Sequence, residues 1–535
     1  MVKLVLRHNY AYPWSKYDGV HAKGYAIYDD TLYSGKDLAK LFSQIEMSKI
    51  VKYLRSISGI FSVIVEHEND VYLISDITRT FPIFYAFSDD DIIVSDDTFY
   101  LKKQLDSDFN DDFCVEFLRL LYVTGKDTLL RGIYQVQAGE IVRIGADSGV
   151  TKEFYHEYTV TEKELLEFGE QQLKDTILDT FNRVAHKLIK FANGDPIVVP
   201  LSGGYDSRAI IALLKKHGYE NVICYTYGRA DSTEVKTAEE VARKLGYEWI
   251  YVEQTEDIVD PEYPYEKWFQ EFFEYAFNHV STLHLQDFFV FKYLHESKLI
   301  PKHSIVVPGH SGDFLGGSHL RKLPLPRTKE DIWKRMKALH LVLNEHVPLT
   351  ENVVQKFWSY MSKYPQEVLI YSIEENWDMK ERQAKFIINS NRTYEFFGYR
   401  HAIPLWDIEL VELFRRVPLK YKYGKVIYNE VLENALFKPM GILITQADKA
   451  PDLRSRFYHR VFHSWEIFKP LRYWSELHLP YQIKRPLRDL VWKDENNFKA
   501  IVKPLLSELR RKYYFSEAHG IVADWCLKNA RCNKG

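Results

Sequence analysis

The sequence predicts an α/β protein in which a strand-rich α+β region precedes a doubly wound parallel sheet with a helical C-terminal part. Three observations carry that expectation. Short β-branched and aromatic runs broken by turn residues fill roughly the first 155 residues. From Pro196 the pattern changes to strand, tight loop and helix, repeated. Beyond about residue 325 the chain reads as mainly helical, without internal repeats or low-complexity tracts.

At 535 residues the chain is too long for one hydrophobic core, so two or three domains are expected. The pattern divides it at 1–155, 160–450 and 451–535. In the first region, Gly59-Ile-Phe-Ser-Val-Ile-Val-Glu66 and Asp70-Val-Tyr-Leu-Ile-Ser75 read as strands. Thr161 and Glu164 form a capping box, which predicts that a helix begins there and continues through Leu173, Ile177, Phe181, Val184 and Leu188. Next come an apolar strand at 197–201, a glycine-rich loop, a helix to Lys216, a strand at 221–227 and a helix from Thr233 to Leu245. Further strands follow at 248–252 and 304–307. A sheet of this kind binds ligands at the carboxyl ends of its strands, where the loops at 202 and 309 lie.

Composition narrows the function classes. Hydrophobic residues make up 46% and charged residues 27%, which excludes a disordered chain. No apolar run is long enough to span a bilayer and the start lacks a secretory pattern, so the cytoplasm is the expected location. The four cysteines have no zinc-ligand spacing and are expected to be reduced thiols. The net charge of -3 is uneven: residues 451–535 hold 17 Lys+Arg against 9 Asp+Glu, leaving +8 there and -11 on the rest. Such a basic segment suits a nucleic acid, a phosphorylated substrate or an anionic membrane, and equally a solvated helical surface.

The chemistry concentrates in Ser202-Gly203-Gly204-Tyr205-Asp206-Ser207. Small residues after a strand free the backbone amides to converge on phosphate oxygens, and the helix behind adds its positive end. The loop lacks the lysine pattern of kinases and GTPases, which turns expectation away from terminal-phosphate cleavage. A second apolar strand leads into Val306-Val-Pro-Gly-His-Ser-Gly-Asp-Phe-Leu-Gly-Gly317, again glycine-rich with one carboxylate. Asp206 and Asp313 at adjacent strand ends suit magnesium, which takes a few carboxylates together with phosphate oxygens.

Ser202 to Ser207, Gly309 to Gly317, Arg400-His-Ala-Ile-Pro-Leu-Trp-Asp407 and Gly424-Lys425-Val-Ile-Tyr428 fall in an order that resembles the asparagine synthetase family of amide-forming ligases. β-Lactam synthetases and lasso-peptide cyclases are related to it. The resemblance covers roughly residues 170–440 and implies an ATP-pyrophosphatase fold that uses ATP and Mg2+ to adenylate a carboxylate. By it, Ser202, Gly203, Gly204, Ser207 and Gly309 would hold pyrophosphate and Asp206 and Asp313 the metal. Lys425 would neutralise charge developing on the phosphates. Leu201, Tyr227 and Gly228 would meet adenine. His310 stands where asparagine synthetases have glutamate and β-lactam synthetases tyrosine, and is expected to be a base for the incoming nitrogen nucleophile.

The N-terminal region is similar to the family's glutamine-hydrolysing domain, of Ntn-hydrolase type, through Gly59-Ile-Phe-Ser and Ser75-Asp76-Ile-Thr-Arg-Thr-Phe-Pro-Ile-Phe-Tyr85 followed by Val94-Ser95-Asp96. It departs from that pattern at Val2, where an active member needs a cysteine, and at Lys23-Gly24-Tyr25-Ala26-Ile27-Tyr28, where the glutamine-binding segment would lie. The resemblance therefore implies a ligase without its own glutaminase. Its acceptor would be aspartate, a sugar acid or a peptidyl carboxylate, and its nitrogen would come from ammonia, an amine or a partner glutaminase. Two other readings stay open: an ATP pyrophosphatase that activates tRNA bases, which the basic C-terminal segment favours, and a non-catalytic scaffold.

Overall fold

The computed structural model describes residues 2–88, 91–145 and 149–444, and residues 480–532 with interruptions at 481, 484–485, 487–488, 490–493, 495, 508 and 510–513. The N-terminal strands are β1 Val2–Val5, β2 Ser15–Tyr17, β3 Val20–Tyr28, β4 Thr31–Ser34, β5 Ser58–His67, β6 Asp70–Ser75, β7 Phe84–Phe87, β8 Ile92–Ser95, β9 Ile133–Gln135, β10 Glu140–Gly145 and β11 Gly149–Phe154. They form two sheets. The larger runs β11-β10-β6-β5-β3-β2 with β4 also on β3, and the smaller runs β1-β8-β7-β9. Side chains alternate across a strand, so each sheet can bury both faces. Ile64, Leu73, Val142 and Ile144 of the larger sheet meet Tyr85 and Val94 of the smaller between the two. Helix Gly35–Ser43 covers the outer face of the larger sheet through Leu38 and Phe42. Helix Thr98–Leu105 covers the smaller through Leu101.

The second unit is a parallel sheet of β12 Ile197–Pro200, β13 Val222–Gly228, β14 Glu248–Glu253, β15 Ile305–Val306 and β16 Arg400–His401, in the order β14-β13-β12-β15-β16. Ile197, Val199 and Cys224 face helices Glu170–Ala192, Tyr205–Lys216 and Thr233–Leu245. Val198, Ile223 and Tyr225 face helix Phe288–Glu296 on the other side. The sheet is doubly wound, as expected from the alternation of its elements.

The chain departs from the expected pattern in three places. The Thr161 capping box is present, but it closes only a 3-10 turn, Glu162–Glu164. Leu165 then turns extended and Leu166 donates its N–H to Arg416 O at 2.9 Å, so the long helix starts only at Glu170. β15 is shorter than the apolar run around it. Of the segment expected as a separate extension, helices Phe498–Leu506 and Ala518–Cys532 instead pack into an aromatic cluster with Phe269, Phe273 and Phe288, and residues 451–479 lie outside the described residues.

The two units share a core. The Tyr25 ring stacks on Phe191 of helix Glu170–Ala192 at 3.7 Å, and the Tyr12 hydroxyl donates to His401 O at 2.5 Å. No described helix is long and apolar enough to cross a membrane.

Candidate active site

β12 ends where Leu201 N–H donates to Tyr225 O at 2.8 Å, and the chain turns through Ser202-Gly203-Gly204 into helix Tyr205–Lys216. The turn is held by its own side chains. Ser207 Oγ accepts from Ser202 N–H at 3.1 Å, and Ser202 Oγ accepts from Gly204 N–H at 3.1 Å. Arg208 Nη2 donates to Gly203 O at 2.7 Å. A Cβ on Gly203 would come within 3.3 Å of Glu234 Cα, so only glycine fits comfortably against the neighbouring helix. The result is a bare backbone turn at a helix N-terminus, a ready anion site.

The second loop, after β15, is pressed against this one. A Cβ on Gly309 would lie 2.7 Å from Ser207 N, and one on Gly312 would lie 2.2 Å from the Tyr428 hydroxyl and 2.5 Å from Asp206 Cγ. That closeness lets Asp313 donate its N–H to Asp206 Oδ2 at 2.8 Å. The Tyr428 hydroxyl donates to Asp206 Oδ1 at 3.0 Å. Lys425, buried at the start of helix Val426–Leu432, sends its ammonium to Asp206 Oδ1 at 3.2 Å and Asp313 Oδ1 at 2.5 Å. Burial raises the Asp206 pKa, and the Lys425 ammonium opposes that rise. Asp313 differs sharply, with its side chain 71% exposed.

Two carboxylates of unequal exposure converging on one cation make a donor set that fits magnesium arriving with a nucleotide. Such an ion keeps waters and phosphate oxygens and needs only one or two protein carboxylates. No group of three or more metal-ligating side chains occurs among the described residues, so a dedicated protein-only metal site is absent there.

Beside Asp313 opens a cavity of about 350 Å³ lined among others by His310, His319, His340, Asp378, Arg382 and Gln383. The last two lie on a π-helical segment, Met379–Ile387. Its wider turn is often found at functional sites. Ser311 Oγ donates to Gln383 Oε1 at 2.7 Å, and Gln383 Nε2 donates to Asp378 Oδ1 at 3.2 Å. Arg382 makes no ion pair or hydrogen bond among the described residues; burial works to raise the pKa of Asp378 on the same wall, and the Arg382 charge works against it.

His310 is less basic than its type suggests. Burial lowers its pKa to about 4, with His401 adding to the fall. The ring is therefore neutral at physiological pH, contrary to the expectation of a base titrating near neutrality. Ser390 Oγ donates to Ile387 O at 2.7 Å and lies 3.0 Å from His310 Nε2. This contact holds the ring in place whichever of the two atoms donates. A pH–rate profile should accordingly show no limb near pH 6.5 that His310→Asn removes.

Ser202, Gly203, Gly204, Asp206, Ser207, Gly309, His310, Asp313 and Lys425 thus meet in one place. Leu201, Tyr227 and Gly228 lie at the adjoining strand ends, where the Leu201 and Gly228 carbonyls accept from Thr226 Oγ1 and the Tyr251 hydroxyl, each at 2.8 Å. The Arg400 to Asp407 segment serves the scaffold. Arg400 pairs with Asp195 at 2.5 Å, and Asp407 caps helix Ile408–Arg415 while pairing with Lys187 at 3.0 Å. Sequence reasoning missed Tyr428, although it lies one turn beyond Lys425, and Arg382, which no local pattern announces.

A family model described as asparagine synthase matches residues 191–443. The microcin J25-processing protein McjC of Escherichia coli is 24% identical over 239 residues, 44% of this chain and 43% of that protein. The match thus spans less than half of that relative's length. Among solved structures, an NH3-dependent NAD synthetase from Campylobacter jejuni is similar at 18% identity and a TM-score of 0.20, covering 37% of this chain and 80% of that one. A glutamine phosphoribosylpyrophosphate amidotransferase from B. subtilis follows at 10% identity and 0.19, covering 45% and 72%. The loops described above, at 202–207, 309–317 and 424–428, all lie inside the matched span, and residues 191–443 form a domain of the asparagine synthase family.

Proposed function

We propose that this protein is an ATP-dependent, AMP-forming ligase that joins a carboxylate to a nitrogen nucleophile. The observation that carries the reading is the convergence of Asp206, Asp313 and Lys425 between a glycine-rich backbone turn at a helix N-terminus and a cavity of about 350 Å³. The turn at 202–207 holds the β and γ phosphates. An acceptor carboxylate oxygen in the cavity attacks the α-phosphorus, forming the acyl–oxygen–phosphorus bond as the bond to pyrophosphate breaks. Asp206 and Asp313 would hold a magnesium ion, which would supply charge neutralisation to the departing pyrophosphate. Lys425, a mobile point charge held between the two carboxylates, acts on the same oxygens. An amine or ammonia then attacks the acyl carbon, the carbon–oxygen bond to AMP breaks, and the neutral His310 ring on the cavity wall accepts a nucleophile proton. The Arg382 guanidinium, beside Asp378 and with donors to spare, favours acceptors that present a further anionic group.

The N-terminal region supports nitrogen delivered from elsewhere. Val2 has no thiol and is paired in the sheet with Ile92, and no cysteine precedes Cys114. Product analysis by chromatography should find AMP and pyrophosphate in equal amounts, and no glutamate when the protein is given glutamine alone. Stoichiometric ADP and phosphate would overturn the ligase reading, and glutamate release abolished by a change in residues 1–155 would overturn the second.

A further inference from the structure

The segment Met379–Ile387 stands between two cavities. Arg382 and Gln383 line the one beside Asp313, whereas Lys380 and Glu381 line a second, of about 120 Å³. This second cavity lies between the N-terminal unit and helices Glu351–Ser362 and Ile370–Asp378. Four rings wall it: Phe154 at the end of β11, Phe357 and Tyr360 of the first of those helices, and Trp377 of the second. Trp377 also meets His340 of the other cavity, with 4.9 Å between ring centres, so one ring contact links the two linings. An apolar cavity of about 150 Å³ holds benzene. The present one opens to solvent beside Lys363, whose side chain is 40% exposed, and has room for one such ring with a substituent in its mouth.

Two ammoniums reach this space. Lys380, 4% exposed, and Lys363 both donate to Glu157 Oε1, at 3.0 and 3.4 Å. That one oxygen also accepts from the Tyr364 hydroxyl at 3.0 Å. Each ammonium has three N–H groups, and neither has a second acceptor among the described residues. Lys380 Nζ instead lies 3.3 Å from the centre of the Phe154 ring and Lys363 Nζ 5.3 Å from it, and a ring face attracts a cation without supplying a lone pair. Burial lowers the Lys380 pKa to about 8 against the opposing pull of Glu157, so the ammonium persists at neutral pH. The other carboxylates close by are committed elsewhere. Glu381 accepts from Gly125 N–H at 3.0 Å and pairs with Lys385 at 2.6 Å. Glu116 and Asp127 hold Lys356 at 3.0 and 3.1 Å. Glu140 accepts from the Gln137 N–H at 2.7 Å and from its side-chain amide at 3.2 Å. The cavity thus joins ring walls to ammonium donors that are short of acceptors.

We propose that this cavity is a binding site for a small aromatic carboxylate, its ring among Phe154, Phe357, Tyr360 and Trp377 and its carboxylate on Lys363 and Lys380. A carboxylate accepts charge-assisted hydrogen bonds from both ammoniums at once. Ring walls favour an aromatic body, through stacked and edge-on contacts. The site is separate from the nucleotide turn and does not depend on the ligase reading.

Binding of 4-fluorobenzoate to the full chain would be followed by fluorine NMR, with a non-hydrolysable ATP analogue present. The expected result is saturable binding that Lys363→Met and Lys380→Met each weaken about tenfold or more, the worth of one charge-assisted hydrogen bond. The neutral 4-fluorobenzamide should bind more weakly by a similar factor, and Arg382→Met, on the wall of the other cavity, should bind like the unaltered protein. Crystals soaked in 4-fluorobenzoate should show its ring among the four aromatic side chains. Absence of saturable binding, equal binding of the amide, or a ring found only elsewhere would overturn the proposal. Binding lost in Arg382→Met and kept in Lys363→Met would do the same, by placing the carboxylate in the cavity beside Asp313. Should Lys380→Met fail to fold, the more exposed Lys363→Met and the soaked crystal of the unaltered protein decide.

Discussion

Asp313→Asn is expected to lower carboxylate-dependent exchange of labelled pyrophosphate into ATP by about a hundredfold or more, the several kcal/mol that a lost metal contact removes from transition-state stabilisation. The side chain is 71% exposed and its amide stays bonded to Asp206, so the melting temperature should hardly move. Lys425 keeps its partner Asp206 at 3.2 Å, which isolates the effect to the missing charge. His310→Ala provides the contrast. A base for the nucleophile acts after adenylation, so exchange should survive while amide formation slows. Near-normal exchange in Asp313→Asn would remove that carboxylate from the mechanism. Equal loss of both activities in His310→Ala would make that histidine a structural residue.

Gly312→Ala should be damaging despite adding only one methyl group. Gly312 begins a short helix at ordinary negative φ, so alanine by itself would favour the local conformation. The new Cβ, however, would sit 2.2 Å from the Tyr428 hydroxyl and 2.5 Å from Asp206 Cγ, and overpacking of this kind costs about 1–3 kcal/mol or more. The loops must separate, and Asp206 then loses its fixed relation to Asp313 and Lys425. Both exchange activity and melting temperature should fall. Gly312→Ala with Tyr428→Phe should recover part of the stability by removing the nearest atom. Gly169→Ala, which meets nothing within 4 Å, is the neutral control. Unchanged exchange in Gly312→Ala would show that the two loops need not touch.

Much of this site could be read from the chain because its chemistry is written in local runs. The Ser202 to Ser207 turn needs small residues between a strand and a helix, and the order of residues enforces that arrangement directly. The Thr161 capping box was equally visible, but a long-range bond from Leu166 to Arg416 ended its helix after one turn. What escaped was set by residues far apart in sequence. The need for glycine at 312 comes from Asp206 and Tyr428, and the weak basicity of His310 comes from burial that its glycine-rich surroundings do not reveal. Arg382 was hidden for another reason: a π-helical turn breaks the 3.6-residue spacing by which the facing side of a helix is recognised.

That π-helical segment, Met379–Ile387, has a consequence for how this protein can diverge. Arg382 and Gln383 face the cavity, while Glu381 takes the Gly125 N–H and Lys385 donates to the Val123 and Gly125 carbonyls of the N-terminal unit. Residues one or two positions apart thus answer to different neighbours. An insertion or deletion that reshapes the cavity also rotates the side chains that grip residues 123–125. The shape of the cavity and the attachment of the N-terminal unit are therefore coupled, and a chimaera that exchanges residues 1–155 with those of a relative should retain its new partner only when this nine-residue segment travels with it.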